Sequence, residues 1–332
     1  MESVAVPIEI RDPADPRLDD FRDLTHVDRR PDRPGGRGLV IAEGVPVVQR
    51  LLASPYPLRA VFGVAPRIAA LAKAVADARA PVYVATAEVM AAAVGFHLNR
   101  GVLASADRLP AQPVEALLGP ARLIAVLEGV NDHENLGSIF RNAAALGVDA
   151  VLLGPNCADP LYRRAVRVSM GHVLAVPFAD LAGSAAPVPG QGCGFGPYGA
   201  GGSGKSPGAP SAAPVPGQGC GSGPYRAGGS GKSPGAPSAA FSAWPAAISA
   251  LQALGFAVLA MTPNPDARAL RDLDPVLHRR TAVLLGAEGP GLSRAALDAA
   301  DVQVRIPIRP GVDSLNVATA AAIAFAHLTA GY

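Results

Sequence analysis

"NDHENLGSIFRNAAALGVDAVLLG" (131–154) is the stretch on which the fold turns. It follows "RLIAVLEGV" (122–130), an apolar run that reads as a buried strand. Its middle has the spacing of a helix over 136–146, with Asn135 placed to cap it and Arg141 in its second turn. It closes on "DAVLLG" (149–154), a second buried strand. Strand, helix and strand in this order make a βαβ unit, whose two strands lie parallel in a sheet covered on both faces.

The same alternation extends in both directions. Upstream come "LVIA" (39–42), a helix in "GVPVVQRLLAS" (44–54), the strand "RAVFGV" (59–64) and a helix in "RIAALAKAVADA" (67–78). Next are the strand "PVYVA" (81–85), a helix over 86–94 and the strand "GVLAS" (101–105). Downstream, a helix near 161–168 precedes "HVLAVPFA" (172–179), read as a strand. A helix over 244–254 then leads to the strands "FAVLAMT" (256–262), "TAVLLGA" (281–287) and "VQVRIPI" (302–308), with a short helix near 293–299 and a closing helix from about 315 to 330. The fold class is α/β, with mostly parallel sheets. Residues 1–37 form a lead-in whose Asp and Arg balance, expected to be solvated and partly extended. A small α/β domain spans 38–109, a proline-bearing linker covers 110–121, and a second α/β domain fills 122–332.

One block breaks the pattern. Residues 184–237 repeat a 27-residue unit in which only Phe195/Ser222 and Gly199/Arg226 differ between copies. Half of the block is Gly or Pro, a composition expected to stay disordered and to loop out of the second domain. Inside it, "GAGGSGKS" (199–206) satisfies the pattern of a phosphate-binding loop. No strand precedes Gly199, and Pro207, Gly208 and Pro210 follow where a helix should start. The second copy carries Arg226 in place of the first glycine. The match is compositional, and a nucleotide hydrolase, which rests on this motif alone and which mutating Lys205 would test, is not expected.

Composition narrows the class further. The 332 residues carry a formal net charge of +2, and the repeat alone holds Lys205, Arg226 and Lys232 with no acidic residue. The remainder is close to neutral, so any nucleic-acid contact must come from a local patch. Three cysteines at 157, 193 and 220 and six scattered histidines show no metal-ligand spacing, and no metal is expected. No apolar run is long enough to span a bilayer, and the N-terminus lacks the features of a signal peptide. A reducing, cytoplasmic setting without membrane contact is expected.

Chemistry concentrates at three places outside the repeat. These are Asn135 and Arg141; the glycine-rich turn of "LLGAEGPGLS" (284–293), where Glu288 sits free of bulky side chains; and "IPIRPGVDSLNVATAAAIAF" (306–325), where Ser314 and Asn316 flank Leu315 at the start of the last helix. Singly they read as caps and turn residues. Together, in this order, they resemble the three motifs of the SpoU (TrmH-type) RNA 2′-O-methyltransferases of the SPOUT superfamily. The resemblance covers roughly 120–332 apart from the repeat, and Ala318 stands where the family often has Ser. The first domain resembles the L30e-like substrate-binding domain often joined to this catalytic domain.

The resemblance implies a SPOUT domain with a C-terminal trefoil knot, S-adenosylmethionine as cofactor, ribosomal or transfer RNA as substrate, and a homodimer that completes the site. It implies a cofactor pocket from Thr262, Gly286, Gly289, Ile306 and Leu315, and a catalytic surface from Asn135, Arg141, Glu288, Ser314 and Asn316. A guanidinium is very hard to deprotonate, so Arg141 fits a phosphate clamp better than a base, with Glu288 orienting Arg141 or Asn135. A non-catalytic RNA-binding protein of the same fold is the alternative. RNA contacts are expected from Arg29, Arg30, Arg33, Arg37 and Arg100, and from Arg163, Arg164 and Arg167, with 1–109 reading RNA separably from the cofactor-holding 120–332.

Overall fold

The computed structural model describes residues 7–22, 24, 38–76, 78, 80–181, 244, 246–273 and 280–330. The repeat block, with Cys193, Cys220 and the 199–206 pattern, lies outside them, as do Arg29, Arg30, Arg33 and Arg37. In the first half, β1 (Ile8–Glu9), β2 (Leu39–Glu43), β3 (Leu58–Gly63), β4 (Val82–Val84) and β5 (Val102–Asp107) form one sheet. Helices α1 (Val45–Leu52), α2 (Ala65–Ala69), α3 (Ala72–Ala76) and α4 (Ala87–Val94) lie between its strands. Its order is β1-β4-β3-β5-β2, and β5 runs antiparallel to both neighbours, so this sheet is mixed.

The second half begins with α5 (Val114–Leu118) and β6 (Leu123–Glu128), then α6 (His133–Ala145), β7 (Ala150–Leu153), α7 (Arg163–Val168) and β8 (Phe178–Asp180). After the repeat come α8 (Ala246–Ala253), β9 (Ala257–Met261), β10 (Arg268–Ala269), β11 (Thr281–Gly286), α9 (Arg294–Ala299), β12 (Val302–Arg305) and α10 (Val317–Thr329). The sheet order is β10-β12-β9-β11-β6-β7-β8, parallel throughout.

Strand alternation explains why these segments read as unbroken apolar runs. In β6, Leu123, Ala125 and Leu127 enter one core cluster, while Ile124 and Val126 enter another on the opposite face. In β2, Val40 and Ala42 join that first cluster, and Leu39 and Ile41 a third. The first cluster is therefore common to both sheets. It holds Val47, Val48 and Leu51 of α1 together with Phe140 of α6, Val166 of α7 and Phe325 of α10. Burying such side chains contributes about 1.5–3 kcal/mol each, so separating the halves would expose a costly surface. This shared layer speaks against halves that work separably.

Several expectations change. The lead-in is not merely solvated. Ile8–Glu9 pairs with β4, and a 3-10 helix at Pro16–Phe21 carries Leu18 and Phe21 into the third cluster with Ile10 and Leu24. Arg17 pairs with Asp15 within the lead-in, and Arg59 of β3 reaches Asp20, which lets the apolar residues nearby turn inward. The linker contains α5, whose Val114 and Leu118 pack under the second sheet. The helix expected over 67–78 is two, broken where Leu71 dips into the core. The strand expected over 172–179 begins only at Phe178, because Met170 and Gly171 turn left-handed and a 3-10 turn, His172–Leu174, follows.

Candidate active site

Three strand ends converge on one edge of the parallel sheet. β9 stops at Met261, β11 at Gly286 and β12 at Arg305, so the segments that follow them gather at their carboxyl ends. From β6 the sheet grows one way through β7 and β8, and the other way through β11, β9 and β12. Such a reversal of direction is where open α/β sheets bind ligands. A cavity of about 420 Å³ opens beside that point, at the carboxyl ends of β9, β11 and β12, lined by Met261–Pro263, Leu285–Gly289, Gly291, Ile306, Ile308, Ser314–Val317 and Ala320. Thr262, Gly286, Gly289, Ile306 and Leu315, the five residues expected to hold a cofactor, all line it.

The turn after β11 can be made only with glycine at its root. A Cβ on Gly286 would lie 2.2 Å from the carbonyl carbon of Gly291 and from the nitrogen of Leu292. The chain folds back so tightly because Gly289 and Gly291 take φ of +84° and +72°, and the Gly291 N–H donates to the Ala287 carbonyl at 3.0 Å. From the neighbouring strand, Glu128 accepts the Ser293 N–H at 2.9 Å and pins the far side of the turn. Glu288 thereby stands exposed on the cavity rim.

Asn316 joins the three motifs. Its Oδ1 caps α10, accepting the N–H groups of Ala318 and Thr319 at 3.0 and 3.2 Å. Its Nδ2 donates to Glu288 Oε1 at 2.7 Å and to Asn135 Oδ1 at 2.8 Å. Asn135 is available because it is not the cap of α6. Asp132 is, accepting the Glu134 and Asn135 N–H groups at 2.9 and 2.8 Å. Likewise Ser314 is not a cap but lines the cavity, exposed. Asn142 fastens the same two helices, donating to the Ala318 carbonyl at 2.9 Å. Neither Asn142 nor Glu128 stands out in the sequence, although Asn142 falls seven residues after Asn135, on the same side of α6.

Arg141 does not join this group. Six residues beyond Asn135, it lies about 240° around the helix, exposed on another face. Among the described residues it makes no hydrogen bond or ion pair, and its charge acts instead on His172. Glu288 is therefore linked to Asn135 through Asn316, and Arg141 is outside that chain of bonds. Four other arginines expected to face RNA are paired within the molecule. Arg163 donates to Glu43 Oε2 at 2.9 Å, with Arg167 and Arg100 also near that buried carboxylate at 3.7 and 3.9 Å, and Arg164 pairs with Glu134.

Cys157 packs behind the end of β6 and does not line the cavity. Burial pushes its thiol up to about 11, and it donates to the Leu127 carbonyl. Among the described residues no cluster of three or more His, Cys, Asp or Glu side chains could hold a metal ion, and no helix is long and apolar enough to cross a membrane.

The sequence profile of the SpoU rRNA Methylase family matches residues 122–188 and 225–326, interrupted within the repeat. Over 322 residues the chain is 49% identical to an uncharacterized tRNA/rRNA methyltransferase of Mycobacterium tuberculosis, covering 97% of this chain and 91% of that protein. A 73-residue stretch, 22% of this chain and 37% of the other, is 45% identical to a tRNA (guanosine(18)-2'-O)-methyltransferase of Thermus thermophilus. An S-adenosylmethionine-bound rRNA methyltransferase from Sinorhizobium meliloti superposes with a TM-score of 0.66 at 20% identity, covering 98% of both chains, a likeness of fold.

Proposed function

This chain belongs to the SpoU rRNA methylase family, and from that we propose that it methylates a ribose 2′-hydroxyl of ribosomal or transfer RNA with S-adenosylmethionine. The observation that carries the reading is the Asn316 node, which ties Asn135 and Glu288 together on the rim of the cavity behind Gly286. That cavity suits the cofactor. Its volume is that of a nucleoside-sized ligand, and Leu285, Ile306 and Leu315 offer apolar walls beside the polar Thr262 and an exposed glycine backbone. Bound there, the cofactor supplies a sulfonium methyl open to attack by an oxygen nucleophile.

The chain's own residues must hold that oxygen in line and ease the loss of its proton. Asn135 and Glu288 are held rigid by a shared donor, so the rim is shaped before RNA arrives. Arg141, uncommitted and exposed, clamps the phosphate beside the target ribose and lowers the cost of a developing alkoxide. The proton leaves to that phosphate or to water.

The placement of Arg141 supports a homodimer. In one chain it is turned away from Asn135, so a second copy that presents its own Arg141 would complete the surface. Val312 and Ile323, large apolar side chains exposed 52% and 38% at the C-terminal end, fit such a contact.

The test is transfer of labelled methyl to bulk ribosomal and transfer RNA, followed by alkaline hydrolysis. A 2′-O-methyl group protects its phosphodiester from alkali, so label is expected in resistant dinucleotides. Label in mononucleotides would mean base methylation. RNA binding without any transfer would favour a non-catalytic protein of this fold.

Asn316→Asp separates the node from the cap. Aspartate caps a helix as well as asparagine does, so the melting temperature should barely move. Both donated bonds disappear, and a second carboxylate faces Glu288 where a donor stood. Methyl transfer is expected to fall on the order of 100-fold, the scale of losing a placed donor. Activity within threefold of the parent would sink the node's role.

A further inference from the structure

The seam between the two sheets is lined with cations that the methyl-transfer site does not use. Glu43, at the end of β2, is nearly buried and is met by three guanidiniums, those of Arg163, Arg167 and Arg100. Arg167 and Arg100 keep 34% and 45% of their side chains exposed, so one carboxylate leaves a surplus of positive charge. α7, which carries Arg167, runs directly into the turn of Met170, Gly171 and His172.

That turn packs on α1 of the first sheet. A Cβ at Gly171 would lie 3.2 Å from Arg50 Cβ and 3.3 Å from Val47 Cγ1, and Arg50 Nη1 donates to the Met170 carbonyl at 2.8 Å. On the other side His172 feels Arg141 of α6. Burial first, then the charges of Arg50 and Arg141, hold its imidazole below the usual value, and among the described residues no carboxylate offsets them. Cationic or cation-ready groups from three elements thus lie within electrostatic reach of one another in a chain whose globular part is close to neutral. Like charges gathered without a counter-ion are costly unless an anion joins them.

We propose that this seam is the track for the RNA backbone, with Arg50 and His172 holding phosphates that continue from the one at Arg141. Arg100 and Arg167 extend the track along α1 and α7. From Gly44, against which the Arg100 side chain packs, to Arg50 is about 9 Å along α1. A strand of linked phosphates spans such a distance, and a single small anion does not. The identity of the polyanion rests on the RNA-methyltransferase reading.

The test uses the full chain with bulk ribosomal RNA and bulk transfer RNA as probes, titrated with salt. Arg50→Gln with His172→Gln should weaken binding about tenfold near 0.1 M salt, the loss of one or two charge-assisted contacts. The slope of log affinity against log salt should become shallower by one to two units, since each phosphate contact contributes about 0.7–0.9. S-adenosylmethionine affinity and melting temperature should stay at the parent's values, and KM for RNA should rise more than kcat falls. Arg50→Lys keeps the charge and should restore most of the slope.

A cofactor-binding double variant with the parent's RNA affinity and slope overturns the proposal. So does Arg50→Lys losing as much slope as Arg50→Gln, because Arg50 would then act only through its bond to Met170. If the parent binds RNA with this salt dependence but transfers no methyl, the seam stands and the methyltransferase reading falls. If methyl is transferred while the double variant matches the parent, the reverse holds.

Discussion

Arg141→Ala should abolish measurable methyl transfer while S-adenosylmethionine affinity stays within about twofold of the parent's, a difference of ~0.4 kcal/mol. Arg141 is exposed, makes no hydrogen bond or ion pair among the described residues, and does not line the cavity. Its removal therefore costs the fold and the cofactor pocket nothing. What it removes is a fixed positive charge where negative charge develops on the RNA side, worth on the order of 100- to 1,000-fold in rate. Isothermal titration of the cofactor beside a methyl-incorporation assay separates the two effects. Loss of cofactor affinity in step with activity would contradict a role on the RNA side.

Gly286→Ala should fail at the complementary step. Nothing at 286 larger than hydrogen fits, because its Cβ would sit 2.2 Å from backbone atoms of Gly291 and Leu292, which no side-chain rotation relieves. Either the turn or the end of β11 must move. Such overpacking costs about 1–3 kcal/mol of stability. The displaced turn also carries Ala287, Glu288 and Gly289 out of the cavity wall, so cofactor affinity should drop roughly 100-fold, equivalent to ~2.7 kcal/mol. An alanine variant that binds S-adenosylmethionine as the parent does would show that the cofactor lies elsewhere.

Combined, the two variants test the homodimer. Each alone should be inactive. A mixed population contains dimers in which the cofactor pocket of an Arg141→Ala chain meets the Arg141 of a Gly286→Ala chain. Partial recovery on mixing is expected if the site is completed in trans. No recovery, with mixed dimers demonstrated by sedimentation or pull-down, would place Arg141 and the pocket of one site in the same chain.

Much of the molecule can be read from residues that act locally. The apolar runs at 123–128, 150–153 and 281–286 became parallel strands because an unbroken apolar run needs cover on both faces, and the helices between them supply it. The glycines at 286, 289 and 291 announced a turn at a strand end, and the five residues assigned to the pocket by resemblance line one cavity. Motifs and strand order survive in one dimension because each depends on a few consecutive residues.

Tertiary structure alone decided what each polar side chain does. Asn135 and Ser314 looked like caps, but Asp132 and Asn316 take that task, because a cap is chosen by where the helix actually starts. Asn316 reaches residues 28 and 181 positions away, a distance no spacing encodes. Arg163 looked like part of a basic helix face and was turned inward by Glu43, 120 residues earlier, while its neighbour Arg167 keeps a third of its side chain exposed. The two-residue strands β1 and β10 exist only because a neighbour offers them a free edge. The sequence by itself determined the alternation of elements, the turns that only glycine permits and the identity of the motifs. Which charges meet, which face Arg141 presents and that both sheets share one core were decided by packing, since those contacts join residues that the chain keeps far apart.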